Sequence, residues 1–174
     1  MKRVVSAVFC VLAILGTTPG VFAKGPTTRI TITGPTLAKA VAITDLEVLK
    51  NFNVWSGRGT FSGGVSPEYE GKEGFIIDWV SGAVASRPNG LRTYELSFYT
   101  KNDEQPPNGK PDPQLVYVVS YAVDPVTGQG YVYLPGKSDN SYSLNTSSIL
   151  RGCEGHWFRA NAAWQTAFTN AVRG

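Results

Sequence analysis

The sequence predicts an α+β domain built on an antiparallel sheet. Short runs with strand-like alternation follow one another along most of the chain, and turn residues separate most of these runs. Helical patterns occur only near the start, after Thr44, and at the C-terminal end, after Asn161. This order favours an antiparallel meander of about five to seven strands, with a short N-terminal helix and a C-terminal helix packed on one face.

The first predicted elements are a hairpin and a short helix. Arg29 to Thr33 alternates branched and polar residues, and Ala40 to Ile43 resumes a strand-like run after a Gly-Pro turn. Thr44 and Glu47 have the spacing of a capping box, which predicts Thr44 as the N-cap of a helix that ends near Asn51.

The remaining elements follow a glycine-rich loop at residues 53–74. Further strands are predicted at residues 75–80, 93–100, 115–122, 130–134 and 155–160. Asn161 is the predicted N-cap of the last helix, in which Trp164 and Phe168 recur at helical spacing.

Residues 1–23 have the three parts of a cleavable signal peptide. Lys2 and Arg3 precede the uncharged, mostly apolar stretch at residues 4–16, and small residues lead to a predicted cleavage site after Ala23. The apolar stretch is shorter than the roughly 20 residues that a membrane-spanning helix needs. We therefore expect a single secreted or periplasmic domain over residues 24–174, without a membrane anchor.

Removal of the signal peptide changes the charge and the cysteine content. The signal carries two of the 16 basic residues and none of the 13 acidic ones, so the mature domain has a formal net charge of +1. A nearly neutral domain lacks the field that attracts nucleic acid, and we expect no nucleic-acid partner. Cys10 leaves with the signal, and Cys153 remains as a thiol that is free, bridged to another chain or ligand-bound.

The first candidate site combines Cys153 with His156, which are the one cysteine and the one histidine of the mature chain. This spacing could place both side chains on a metal ion if carboxylates such as Glu154, Asp78 or Glu73 completed the ligand set. It could also form a thiol nucleophile with its base. The alternative is a structural role, with a partly buried cysteine and a surface histidine, because both the ligand set and the catalytic set are incomplete.

Three further features carry weaker signals. The carboxylates of Glu68, Glu70 and Glu73 could bind calcium or act as an acid–base pair, but we favour a solvated loop, as for most short charge clusters. The proline-rich segment at residues 101–114 is typical of an exposed connection. Asn145-Thr146-Ser147 is an N-glycosylation sequon.

Four tyrosines lie on two adjacent predicted strands: Tyr117, Tyr121, Tyr131 and Tyr133. If one face of the sheet is open, these rings would form a platform for a glycan or a peptide. Otherwise they fill the core and its edge, with their hydroxyl groups reaching water.

These observations lead to two functional hypotheses. The first is a non-enzymatic extracytoplasmic domain that binds a protein or glycan through its loops or an aromatic sheet face, without a cofactor or a metal ion. The alternative is a secreted hydrolase or metal-dependent enzyme that uses His156 with Cys153 or a nearby carboxylate. The second hypothesis requires His156 and Cys153 to line one cleft together with at least one of Glu73, Asp78 or Glu154. The oligomeric state is left open, including a dimer bridged through Cys153.

Overall fold

In the part of the chain that the structure describes, an open, seven-stranded antiparallel sheet dominates the fold and is accompanied by three helices. The computed structural model describes residues 25–59, 75–101 and 113–174. The predicted signal peptide, the carboxylates of Glu68, Glu70 and Glu73, and most of the proline-rich segment lie outside the described residues.

The sheet has the strand order β2-β1-β4-β5-β6-β7-β3. The strands are β1 Thr27–Thr33, β2 Val41–Ile43, β3 Ala83–Val84, β4 Arg92–Thr100, β5 Gln114–Val123, β6 Gly130–Tyr133 and β7 Trp157–Arg159. The helices are α1 Leu46–Leu49, α2 Tyr142–Ser148 and α3 Ala162–Arg173. Strands β4, β5 and β6 form the predicted meander. The complete order is not a meander, because β2 and β3 lie at opposite edges of the sheet.

The hydrophobic core lies against one face of the sheet, which we call the inner face. Alternate residues of a strand point to opposite faces, and directly paired residues on neighbouring strands share a face. Tyr94, Leu96 and Phe98 of β4 are buried and are paired with three inner residues of β5. On β5 these partners are Tyr121, Val119 and Tyr117, respectively. The other positions form the outer face, where Val118 and Ala122 are buried but do not belong to the core cluster.

The two predicted helix starts have different outcomes. Asn161 is the N-cap of α3 as predicted, and its Oδ1 accepts a hydrogen bond of 2.8 Å from the Trp164 N–H. Thr44 is not the N-cap of α1. Asp45 takes that position because its carboxylate accepts the Glu47 N–H at 2.9 Å, and the helix is a single turn that ends at Leu49.

The predicted strand at residues 75–80 is wrong. Ile77 forms only an isolated bridge with Ala160, and the chain then turns. The Asp78 carboxylate explains the turn, because it accepts hydrogen bonds from the N–H groups of Val80 and Ser81. The apolar residues before Asp78 are buried in the core without belonging to a strand.

Helix α2, which the sequence pattern did not predict, completes an edge of β5. Strand β6 pairs with β5 only from Ser120 to Val123 and leaves Val118 without a strand partner on that side. The Asn145 side chain replaces the strand, because it accepts the Val118 N–H at 2.8 Å and donates Nδ2 to the Val118 carbonyl at 2.6 Å. Asn145 is only 1% exposed, so the folded domain offers no accessible acceptor at the sequon.

Candidate functional site

The four candidate tyrosines lie on opposite faces of the sheet. Tyr117 and Tyr121 of β5 point to the inner face and are 0% and 1% exposed. Tyr131 and Tyr133 of β6 are partly exposed, whereas the alternate residue Val132 is buried. The structure therefore places two of the rings in the core and the other two on the accessible outer face.

An aromatic pair lies on the outer face where β6 meets β7. Tyr133 and Trp157 are directly opposite each other, and their ring centroids are 5.1 Å apart with an angle of 30° between the planes. Tyr131 is likewise opposite Arg159. The Arg87 guanidinium lies 5.4 Å from the centroid of the Trp157 ring. We call these five residues the outer patch.

Hydrogen bonds to neighbouring residues hold two side chains of the outer patch. The Tyr133 hydroxyl donates to the Asp139 carboxylate at 2.8 Å, and Arg87 donates to the Thr93 hydroxyl at 2.9 Å. Partial burial and the Asp139 carboxylate both raise the pKa of Tyr133, so its hydroxyl stays protonated at neutral pH. These contacts orient the Tyr133 ring and the Arg87 side chain.

A cleft of about 390 Å³ opens beside the aromatic pair and is lined by Ser81, Ala83, Val84, Tyr131 and Arg159. The nearby Asp78 carboxylate accepts hydrogen bonds from the Ser81 hydroxyl and from two backbone N–H groups. The pKa of Asp78 is lowered, and the hydrogen bond from the Ser81 side chain is the main cause. Within the described residues the one ion pair is Lys50–Glu47, so neither Arg87 nor Arg159 lies within ion-pair distance of a carboxylate there. The charge of Arg159 nevertheless contributes to lowering the pKa of the neighbouring Asp78.

A second, larger groove of about 610 Å³ lies between α1, β2 and α3. Its lining consists mostly of small and uncharged side chains, together with the carboxylates of Asp45 and Glu47. Phe52 is the one aromatic residue of this lining, and no arginine or lysine contributes to it. The outer patch therefore offers more groups that recognise a ligand than this groove does.

The structure does not bring Cys153 and His156 together in a cleft. Cys153 is 7% exposed and belongs to the apolar core cluster, and burial is the main cause that raises the pKa of its thiol to about 11. His156 is exposed, with its Nδ1 at 3.2 Å from the Glu154 carbonyl oxygen. The Glu154 carboxylate accepts the backbone N–H of Arg151 at 2.5 Å. Within the described residues, no three His, Cys, Asp or Glu side chains could jointly hold a metal ion.

Arg151 is a buried cation that the sequence analysis did not single out. It is 3% exposed, and its guanidinium donates to the backbone carbonyls of Val54, Ser56 and Arg58. The two bonds to Ser56 and Arg58 measure 3.0 and 2.9 Å. A further bond of 3.3 Å runs from Nε to the Tyr117 hydroxyl.

Three aromatic rings enclose the Arg151 guanidinium. Its Cζ lies 4.6 Å from the ring centroid of Phe75, 5.4 Å from that of Tyr117 and 5.6 Å from that of Trp79. We call Arg151 with these rings and the three carbonyl groups the Arg151 cluster. Arg151 lies 34 to 97 positions along the chain from the residues to which it is hydrogen-bonded, so no local sequence pattern could have revealed the cluster.

No protein-family model, curated protein or solved structure matches this chain. In the part of the chain that the structure describes, none of the helices has the length and apolar character needed to cross a bilayer.

Proposed function

We propose that this protein is an exported, non-enzymatic domain that binds a partner or ligand through the outer patch. The observation that carries the proposal is the partly exposed pair of Tyr133 and Trp157 on neighbouring strands. Beside it lie the guanidinium groups of Arg87 and Arg159, which form no ion pair within the described residues. Tyrosine, tryptophan and arginine are the residues that contribute most often to binding energy at protein interfaces.

The position of the patch supports a binding role. Trp164 and Phe168 of α3 contact Tyr121 and Tyr94 on the inner face, so we infer that the helical layer serves that face and leaves the outer rings free. The patch is built on paired strands rather than on a loop, which fixes its geometry. Aromatic side chains also have few rotatable bonds and lose little entropy on binding.

Export is part of the same proposal. The charged, apolar and small-residue order of residues 1–23 supports translocation to the periplasm or the medium. An extracytoplasmic domain with an accessible aromatic face is well placed to meet extracellular protein or glycan.

The alternative, a hydrolase that uses His156 with Cys153, gains no support from the site geometry. A nucleophilic cysteine acts as a thiolate, which a lowered pKa favours. Burial instead raises the pKa of the Cys153 thiol, and the His156 side chain faces solvent. The binding hypothesis is therefore the one that the arrangement of side chains favours.

The proposal can be tested by applying the exported protein to immobilised glycan and peptide arrays. We expect the wild-type protein to bind, and we expect Trp157→Ala to weaken that binding about 30-fold or more, as for a binding hot spot. Tyr99→Ala is the matched control, because this outward-facing ring also contacts an arginine. The Cζ of Arg29 lies 4.0 Å from the centroid of the Tyr99 ring.

Two outcomes would contradict the proposal. One is a folded wild-type protein that binds neither array. The other is equal loss of binding in Trp157→Ala and Tyr99→Ala, which would show that binding does not depend specifically on the outer patch. Thermal unfolding of each variant shows whether the fold is retained.

A further inference from the structure

We infer that Asn145 is a modification site whose N-glycosylation and the folding of this domain exclude each other. The inference rests on the export that belongs to the proposed function, because an exported chain is the one that meets the enzyme transferring such glycans. It follows from three features of the sequon at residues 145–147: the hydrogen bonds of the Asn145 amide, the burial of this side chain, and its position against β5.

Glycan transfer changes the nitrogen atom of the asparagine amide. Nδ2 of Asn145 forms a bond to C1 of the sugar, the lipid pyrophosphate of the lipid-linked oligosaccharide donor leaves from the same carbon, and Nδ2 loses one of its two protons. The modified nitrogen retains a single N–H and carries a bulky, hydrated group. Recognition of the acceptor needs only three consecutive residues, so an unfolded chain presents the complete signal.

In the folded domain the same nitrogen is already engaged. Nδ2 of Asn145 donates to the Val118 carbonyl at 2.6 Å, and Oδ1 accepts the Val118 N–H at 2.8 Å. These two bonds replace the strand partner that β6 does not supply at this position. Asn145 is 1% exposed and Val118 is 7% exposed, so a sugar ring on Nδ2 requires α2 to separate from β5.

A glycan that is attached before folding therefore blocks the docking of α2. The Val118 N–H and carbonyl lose their partner, and a buried backbone group without a hydrogen bond is costly. Ile149 directly follows α2, is 6% exposed and belongs to the core cluster, so displacement of α2 also disturbs the core. The chain has two exclusive products, one that is folded and unmodified and one that is glycosylated and incompletely folded.

The test translates the full chain in a cell-free reaction with endoplasmic-reticulum microsomes, which supply the transferase and its donor. Gel mobility separates glycosylated from unmodified chains. The fold of each population is measured, after detergent lysis under reducing conditions, by the rate at which a polyethylene-glycol maleimide labels Cys153. This cysteine is 7% exposed in the core, and it is the one cysteine left once the signal peptide has been removed.

Leu96→Asp provides a chain that cannot fold, because it places a carboxylate at a core position that is 0% exposed. We expect this variant to carry the glycan on most molecules and the wild type to carry it on fewer. In glycosylated wild-type chains Cys153 should react about 100-fold faster than in unmodified ones. Complete absence of glycan from the wild type, with glycan on Leu96→Asp, supports the inference equally, because folding then precedes transfer.

Two controls separate the position of the glycan from its presence. Ser147→Ala removes the sequon through an exposed side chain and retains Asn145, so this variant should be unmodified and should protect Cys153. Pro125→Asn combined with Ser147→Ala moves the sequon to the exposed turn between β5 and β6. This double variant should be glycosylated and should still protect Cys153.

Three results would overturn the inference and leave the proposed function intact. The first is a glycosylated wild-type chain that protects Cys153, because glycan and fold would then coexist. The second is equally fast labelling of the chain with the displaced sequon, which would show that the position of the glycan does not matter. The third is a Leu96→Asp chain without glycan while the displaced sequon is modified, because Asn145 would then be no acceptor.

Failure of the proposed function gives a different result. If neither Leu96→Asp nor the chain with the displaced sequon were glycosylated, the signal peptide would not have brought the chain into the microsomes. That outcome would reject export together with this inference. Binding of the folded protein to the glycan and peptide arrays is measured separately and depends on Trp157, not on Asn145.

Discussion

Arginine contacts aromatic rings on both faces of this sheet, and the two clusters differ in what they leave available. Arg151 is 3% exposed on the inner face and uses four hydrogen bonds to three backbone carbonyls and one hydroxyl. Arg87 is exposed on the outer face and makes one hydrogen bond to Thr93 within the described residues. Since an arginine has five N–H donors, most of those of Arg87 have no partner in this part of the chain.

The difference shows that contact with aromatic rings does not decide the role of an arginine. What decides it is whether the N–H donors are hydrogen-bonded within the protein or face solvent. In the Arg151 cluster the guanidinium attaches the Val54–Arg58 segment to β5 through Tyr117. Because its donors are satisfied by the protein itself, this cation stabilises the fold and offers little to a ligand. In the outer patch the donors face solvent, so the same chemistry can serve recognition.

The largest expected effect is the loss of stability in Arg151→Met. Methionine retains much of the volume but leaves the carbonyls of Val54, Ser56 and Arg58 without their buried donor. We expect the free energy of unfolding to fall by about 3–5 kcal/mol, as for other buried charged networks that lose one member. Urea unfolding monitored by tryptophan fluorescence measures the change.

Arg87→Met is the matched substitution on the outer face. Surface changes of this kind usually alter the free energy of unfolding by about 0.5 kcal/mol or less. If both variants lost the same free energy, the contrast between the two clusters would be mistaken.

Some parts of the fold could be predicted from the sequence, and the reasons are local. The strands β4 and β5 were expected within one or two residues of their observed ends, because alternation of apolar and polar residues is a local property. The alternation also implied that Tyr131 and Tyr133 share a face. It did not tell which face the helices would cover. Residues 75–77 are apolar and buried as a strand would be, yet Asp78 ends the run by hydrogen bonding to the following backbone.

The candidate sites were harder to predict because their members come from distant segments. The outer patch joins Arg87, which precedes β4, to residues of β6 and β7, and only the strand pairing brings them together. Cys153 and His156 are close in sequence, but one side chain is buried and the other is exposed. Short spacing therefore predicted a site that the geometry does not support.

The second expected effect is a loss of stability at alkaline pH caused by the Cys153 thiol. This thiol is buried, two residues after Arg151 in the sequence. Burial raises the pKa of the thiol from 9.0 to about 11, so the folded state favours the protonated form. This contribution to stability is complete below pH 9 and is lost as the pH rises toward 11. The loss by that pH is about 2 kcal/mol.

The measurement is the free energy of unfolding of wild type and Cys153→Ala from pH 8 to pH 10.5. The alanine variant should show a smaller decline over this range, whatever its stability at pH 8. Parallel curves for the two proteins would show that the thiol does not titrate differently in the folded and unfolded states.

The smallest expected effect compares the same substitution on the two faces of the sheet. Tyr117→Phe removes the buried hydroxyl that accepts the Arg151 Nε–H at 3.3 Å, whereas Tyr133→Phe removes the partly exposed hydroxyl that donates to Asp139 at 2.8 Å. Loss of the inner hydroxyl leaves a buried donor without its partner, so the free energy of unfolding should fall by about 1–2 kcal/mol. On the outer face, water can replace the lost hydroxyl, and the expected change is about 0.5 kcal/mol or less. Chemical denaturation of both variants decides between these values, and a larger loss in Tyr133→Phe would mean that the outer patch, not the Arg151 cluster, stabilises this part of the sheet.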